Sequence, residues 1–196
     1  TNTSNAGPRL VKISDASTTY INVSSSGYSG DGNIVHVDNT CKHQVELTAG
    51  NTYTFEVKTG FNNENGLVYV DYNNDGSFQA NEEVQAWTTN TPNQTYSFNY
   101  TVPTTATIPG LVSCIPLRMR VITDRTISAP LSVCGPVGYG QAEDYSIVIR
   151  GGGPTTGSAT VGLTSGTNPS CFNSPLSFVV VPGSGITSAT YVWFVN

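Results

Sequence analysis

The sequence predicts an all-β protein: one β-sandwich of jelly-roll or immunoglobulin-like type, followed by part of a second, immunoglobulin-like sandwich. Three observations carry this expectation. The 196 residues include only 11% charged residues and a single Met, while Thr, Val, Tyr, Ser, Asn and Gly are abundant. β-Branched and aromatic residues fit strands, and the straight-chain residues that build long amphipathic helices are scarce. Short segments alternate apolar and polar side chains, with Gly, Asn and Pro between them, as in sandwiches.

The segments are taken in chain order. Residues 20–23, 33–37, 45–47 and 53–57 read as strands, and Thr48-Ala49-Gly50-Asn51-Thr52 reads as the hairpin turn between the last two. Residues 67–71, 96–102, 117–122 and 144–149 continue the pattern. Period-two alternation places one set of side chains on a core face and the other on a wet face. Pro103, Pro109, Pro116, Pro130 and Pro136 fall in connections, where no ladder N–H is needed.

Residues 1–150 are expected to form the first domain. Residues 151–157, Gly151-Gly152-Gly153-Pro154-Thr155-Thr156-Gly157, read as a linker. Residues 158–196 carry three further strand segments, at 159–163, 176–181 and 191–195, with Cys171 and Trp193 among them. That is about half of an immunoglobulin-like sandwich of roughly 100 residues. The expectation is that the protein continues or that a second chain completes this unit by strand addition.

The formal net charge is −5, with only eight Lys and Arg residues. That balance argues against nucleic acid as a partner and suits cations. No apolar run is long enough to span a membrane. The four cysteines form no C-x-x-C pair, which argues against zinc. The Asn- and Thr-rich composition points to an oxidising, extracellular or cell-surface location with at least one disulfide, for which Cys41, Cys114 and Cys134 are candidates, against the competing reading of free buried thiols. Three cysteines precede residue 150, so one of them is left over or pairs elsewhere, and four cysteines allow three connectivities.

The motif richest in chemistry runs from Asp71 to Glu82, Asp71-Tyr72-Asn73-Asn74-Asp75-Gly76-Ser77-Phe78-Gln79-Ala80-Asn81-Glu82. It fits the calcium-loop pattern D-x-[DN]-x-[DN]-G-x5-E at every specified position. Calcium takes six to eight hard oxygen ligands. Asp71, Asn73 and Asp75 offer side-chain oxygens at alternate positions, Ser77 a backbone carbonyl, Gln79 a direct or water-mediated ligand and Glu82 a bidentate carboxylate. Gly76 permits the sharp turn. A strand segment precedes the loop, so the expectation is a calcium site grafted on a sandwich rather than a helix-flanked sensor. The competing reading is a hairpin turn rich in Asn, Asp and Gly.

A second constellation is Glu143-Asp144 at the last strand of the first domain. Arg118 and Arg120 share one face of their strand, being two residues apart. One of them is expected to pair with Glu143 or Asp144. Alternatively, either acid adds an oxygen to the calcium site, or both are solvated at a strand start.

Together, Val68-Tyr69-Val70-Asp71-Tyr72-Asn73-Asn74-Asp75-Gly76, then Leu117-Arg118-Met119-Arg120-Val121, Cys134-Gly135 and Tyr139-Gly140-Gln141-Ala142-Glu143-Asp144-Tyr145 resemble the GEVED domain family. The naming motif, Gly-Glu-Val-Glu-Asp, here reads Gly140-Gln141-Ala142-Glu143-Asp144, departing at its second and third positions. The resemblance implies a β-sandwich accessory module of secreted, multidomain bacterial proteins, with no catalytic role established for the family. Residues 158–196 resemble the start of an immunoglobulin-like or PKD-like adhesin repeat.

An enzyme is not expected. The two histidines, His36 and His43, make no H-E-x-x-H, and no G-x-S-x-G elbow is present. The expected function is a non-catalytic structural or adhesive module of a surface protein or extracellular fibre, stabilised by calcium. Its expected partners are neighbouring domains, copies of itself in a polymer, or a cell-surface glycan. The alternative is a carbohydrate-binding ancillary module of a secreted hydrolase or peptidase, with Tyr72, Trp87, Tyr96, Tyr100 and Tyr139 as a stacking platform.

Overall fold

A computed structural model describes residues 6–60, 63–88, 91–125, 131–135 and 137–151, and the backbone of 159–165 and 177–182. The chain divides into two compact units, Thr1–Gly153 and Pro154–Asn196.

In the first unit, β1 (Leu10–Ser14), β2 (Thr19–Ser24), β5 (Thr52–Lys58) and β8 (Thr95–Thr101) form one sheet in the order β2-β1-β5-β8. The second sheet contains β3 (His36–Asp38), β4 (Gln44–Thr48), β6 (Asn65–Val70), β7 (Glu83–Thr88), β9 (Pro116–Asp124) and β10 (Gln141–Arg150), in the order β3-β10-β9-β6-β7. Strand β4 continues the β3 edge, and both run parallel to β10 at successive positions along it. Strands β5, β8 and β9 occupy the segments that alternation picks out. The one helical element among the described residues is a 3-10 turn, Ala80–Glu82.

The core is the sum of the inward sets. Val11 and Ile13 of β1, Tyr53, Phe55 and Val57 of β5, Val68 and Val70 of β6, Leu117, Met119 and Val121 of β9, and Tyr145, Ile147 and Ile149 of β10 are buried together. Phe55 and Phe98 face each other across β5 and β8 with stacked rings 5.0 Å apart. Each buried side chain of this size contributes roughly 1.5–3 kcal/mol by removing apolar surface from water. The outer face of the six-stranded sheet carries a smaller cluster, Leu67, Ile122 and Ala142.

Four elements differ from expectation. Strand β1 (Leu10–Ser14) falls on none of the expected segments. The strand expected at 33–37 shrinks to His36–Asp38, because Gly32 and Asn33 take left-handed backbone (φ +78° and +64°) in the preceding turn. Strand β10 begins three residues earlier than expected, at Gln141. Strand β7 was not anticipated, because a bulge breaks its alternation. Val68 pairs with Gln85 and Tyr69 with Glu83, leaving Val84 as the extra residue. Val84 and Trp87, three apart, therefore both pack on the core.

In the second unit, β11 (Ala159–Ser165) and β12 (Ser177–Pro182) pair antiparallel. The third expected strand, at 191–195, lies outside the described residues, as do Cys171 and Trp193.

Candidate functional site

The segment 71–82 leaves the end of β6 and closes on itself before β7. Both oxygens of Asp71 accept backbone N–H groups, Oδ1 from Asp75 at 3.1 Å and Oδ2 from Gly76 at 2.9 Å. Asn73 Oδ1 accepts from the Asp75 N–H at 3.0 Å. Asp75 Oδ1 accepts from Ser77 N–H at 2.8 Å, and its two oxygens receive the Gln79 amide at 3.1 and 2.8 Å. The Ser77 N–H, then the Gln79 side chain, hold the Asp75 carboxyl below its usual range. Glu82 returns to the loop's start. Its Oε1 accepts from Tyr72 N–H at 2.8 Å, and its Oε2 from Gln79 N–H at 2.9 Å. Gly76 sits at φ +84°, a conformation that side-chain-bearing residues rarely adopt.

Asp71 and Glu82 are both buried, 4% and 1% exposed. The loop contains no Lys, Arg or His. The ion pairs of the described residues do not involve its acids. Two buried carboxylates and a third beside them are thus stabilised by dipoles alone, and burying a charge without a counter-charge is costly. Among the described residues, no three His, Cys, Asp or Glu side chains converge as a metal cage. The order and chemistry of the donors, hard oxygens at Asp71, Asn73, Asp75, Gln79 and Glu82 with the Ser77 carbonyl between, fit a hard divalent cation.

The motif 140–144 has a separate logic, and each residue in it has a packing role. A Cβ at Gly140 would lie 1.9 Å from the Thr123 carbonyl oxygen, so only glycine permits this approach of β10 to β9. Gln141 is fully buried, and its amide donates to the Ile34 carbonyl at 2.9 Å. Ala142 joins the outer cluster. Glu143 and Asp144, as strand neighbours, face opposite ways. Glu143 turns inward and accepts from the Tyr145 hydroxyl. Burial pushes its carboxyl up to about 7; the Tyr145 bond opposes that shift and the charge of Asp31 adds to it.

Asp144 turns outward and is wholly covered. Arg120 Nε and Nη2 donate to its two oxygens at 2.7 and 2.8 Å. Arg118 Nη1 reaches Oδ2 at the longer distance of 3.3 Å, and His36 Nε2 lies 2.9 Å from the same oxygen. Both acids are therefore buried rather than solvated. Neither joins the loop 71–82, because Asp144 is taken by guanidinium groups and Glu143 lies on the other face of the sheet.

The two constellations nonetheless touch. The Arg120 guanidinium lies over the Phe78 ring, 5.2 Å from its centroid, and Phe78 belongs to the loop. Tyr69 meets the same ring edge-on at 5.9 Å. The sequence gives no signal for Phe78, since it is an unspecified position of the calcium pattern.

Two expectations find no support among the described residues. Cys41, Cys114 and Cys134 are exposed and unbonded. Cys114 N–H donates to the Ile149 carbonyl, near the end of β10, whereas Cys134 lines a cavity with Ala142, near its start. Seven residues of strand span roughly 23 Å, and a disulfide needs Cα atoms within about 7 Å. The aromatic stacking platform is also absent. Tyr72, Trp87 and Tyr100 are buried, and Tyr96 stacks face to face on Trp87 at 4.8 Å across the two sheets. Tyr139 alone of the five is exposed.

Residues 65–148 match the GEVED domain family. The match starts at the first residue of β6 and ends within β10, so it includes the loop, Arg118, Arg120 and the motif 140–144. No curated protein matches the chain significantly.

Proposed function

We propose that the first unit is a non-catalytic accessory module, structural or adhesive, of a larger extracellular or cell-surface protein, and that a calcium ion in loop 71–82 stiffens it. The observation that carries this reading is the burial of Asp71 and Glu82 at the two ends of one loop without a cationic partner. Asp71, Asn73, Asp75, Gln79 and Glu82 would hold the ion through side-chain oxygens and Ser77 through its carbonyl, and the bound charge would offset the repulsion among the three carboxylates. The Phe78–Arg120–Asp144 contacts carry that stiffening from the loop to the centre of the six-stranded sheet. The GEVED match over 65–148 supports the accessory role.

Calorimetric titration of chelator-treated protein tests this reading. One calcium per chain is expected, with Kd of about 10⁻⁴–10⁻³ M as in extracellular modules, and magnesium is expected to give no comparable heat. A protein that takes up no calcium under these conditions contradicts the reading.

A further inference from the structure

The two sheets end side by side in edge strands, β7 on one and β8 on the other. Trp87 and Tyr96 stack across this seam and seal part of it. Beyond them the seam opens into a cavity of about 450 Å³, lined by β7, β8, the end of loop 71–82 and the segment 102–108. Cavities of that volume accommodate small organic ligands.

Its lining has a definite chemistry. Val84, Pro103 and Ile108 give an apolar bed, and the rings of Tyr72 and Tyr100 close one end. The two tyrosine hydroxyls bond to each other at 2.9 Å, one donating and the other accepting, and both residues are almost wholly buried. Asn81 and Asn99 stand exposed in the lining, and their side-chain amides make no hydrogen bond to any described residue. Each amide offers both donors and an acceptor. No Lys, Arg or His is present, and the single carboxylate, Glu83, is engaged by the Tyr69 hydroxyl at 3.0 Å. Free amides over an apolar bed match a ligand with vicinal hydroxyls on one edge and C–H groups on its face. The lack of cations, on a chain of net charge −5, disfavours an anionic ligand.

From this lining we infer that the cavity between β7 and β8 is a binding site for a neutral glycan, about a disaccharide in size, with Asn81 and Asn99 as its hydrogen-bonding residues. The site differs from the five-aromatic platform excluded above and does not require metal in loop 71–82, although Tyr72 and Asn81 belong to both.

The test is saturation-transfer NMR on the full chain with cellobiose, maltose, lactose and diacetylchitobiose, and a sulfated disaccharide as control, in calcium and again in chelator. Transfer to at least one neutral disaccharide and none to the sulfated one is expected. Asn81→Ala and Asn99→Ala should each weaken binding at least tenfold while leaving the unfolding midpoint in place, since neither amide bonds any described residue. The inference is overturned by absence of transfer to all four neutral sugars in both buffers, by equal binding of the sulfated sugar, or by binding that survives both substitutions. Binding in chelator as well as calcium would support the cavity even if loop 71–82 takes no metal.

Discussion

Arg120 holds the wholly buried carboxylate of Asp144 through two parallel hydrogen bonds, at 2.7 and 2.8 Å, while its guanidinium plane lies against Phe78. The residues that make this contact come from β9, β10 and the loop after β6, so one side chain ties together the segments that the family match spans.

Removing one partner of a buried pair leaves the other without compensation. Arg120→Ala is expected to cost about 3–5 kcal/mol in urea unfolding, towards the lower value because Arg118 and His36 still reach Asp144. Arg118→Ala should cost under about 1 kcal/mol, because Arg118 is half exposed and its contact is long. The double variant Arg120→Met with Asp144→Leu should be more stable than Arg120→Ala, since it leaves no buried charge.

Glu143 sets a pH dependence. Its carboxyl titrates near 7 in the folded protein, against about 4.3 in an unfolded chain. Between these values the folded state binds the proton that the unfolded state has released. Stability is therefore highest below about pH 4 as far as this group is concerned, falls as pH rises towards 7, and levels off above. Unfolding free energies measured from pH 4.5 to 8 should show that decline, on the order of 3 kcal/mol in total. Glu143→Gln should flatten it. A wild-type profile that rises through this window would contradict the placement of Glu143, with Asp31 and Tyr145 the ionisable groups facing it.

Gly140→Ala should destabilise by about 1–3 kcal/mol or more, because its Cβ meets backbone, the Thr123 carbonyl, which cannot rotate away. Gln141→Glu would place a carboxylate where the amide now donates to the Ile34 carbonyl, and should also destabilise. Both are read from chemical denaturation midpoints.

Iodoacetamide applied to the native protein should modify Cys41, Cys114 and Cys134, read by peptide mass mapping. Protection of any pair of them, reversed by reductant, would show a disulfide that this arrangement does not contain.

Alternation made the sandwich legible where strands are regular. In β5 and β8, Tyr53, Phe55, Val57, Tyr96, Phe98 and Tyr100 fall at every second position, and the structure pairs them in that register. It failed at β7, where a bulge puts Val84 and Trp87 on the same side, and at β3, where left-handed Gly32 and Asn33 confine the strand to His36–Asp38. The Arg–carboxylate pairing could be anticipated from the two-residue spacing of Arg118 and Arg120. Which acid it used could not, because that depends on the phase of β10 relative to the core. Phe78 and the β7–β8 cavity depend on three-dimensional neighbours that no local pattern encodes.

Thermal unfolding in 1 mM calcium, in 1 mM magnesium and in excess chelator, for wild type and Asp75→Ala, tests the calcium loop most directly. Extracellular affinities imply about 0.4–1.4 kcal/mol of stabilisation at that concentration, a rise in midpoint of roughly 1–5 °C. The account predicts that rise with calcium alone and its loss in Asp75→Ala. Equal midpoints in all three buffers would make loop 71–82 a hydrogen-bonded turn and contradict the account.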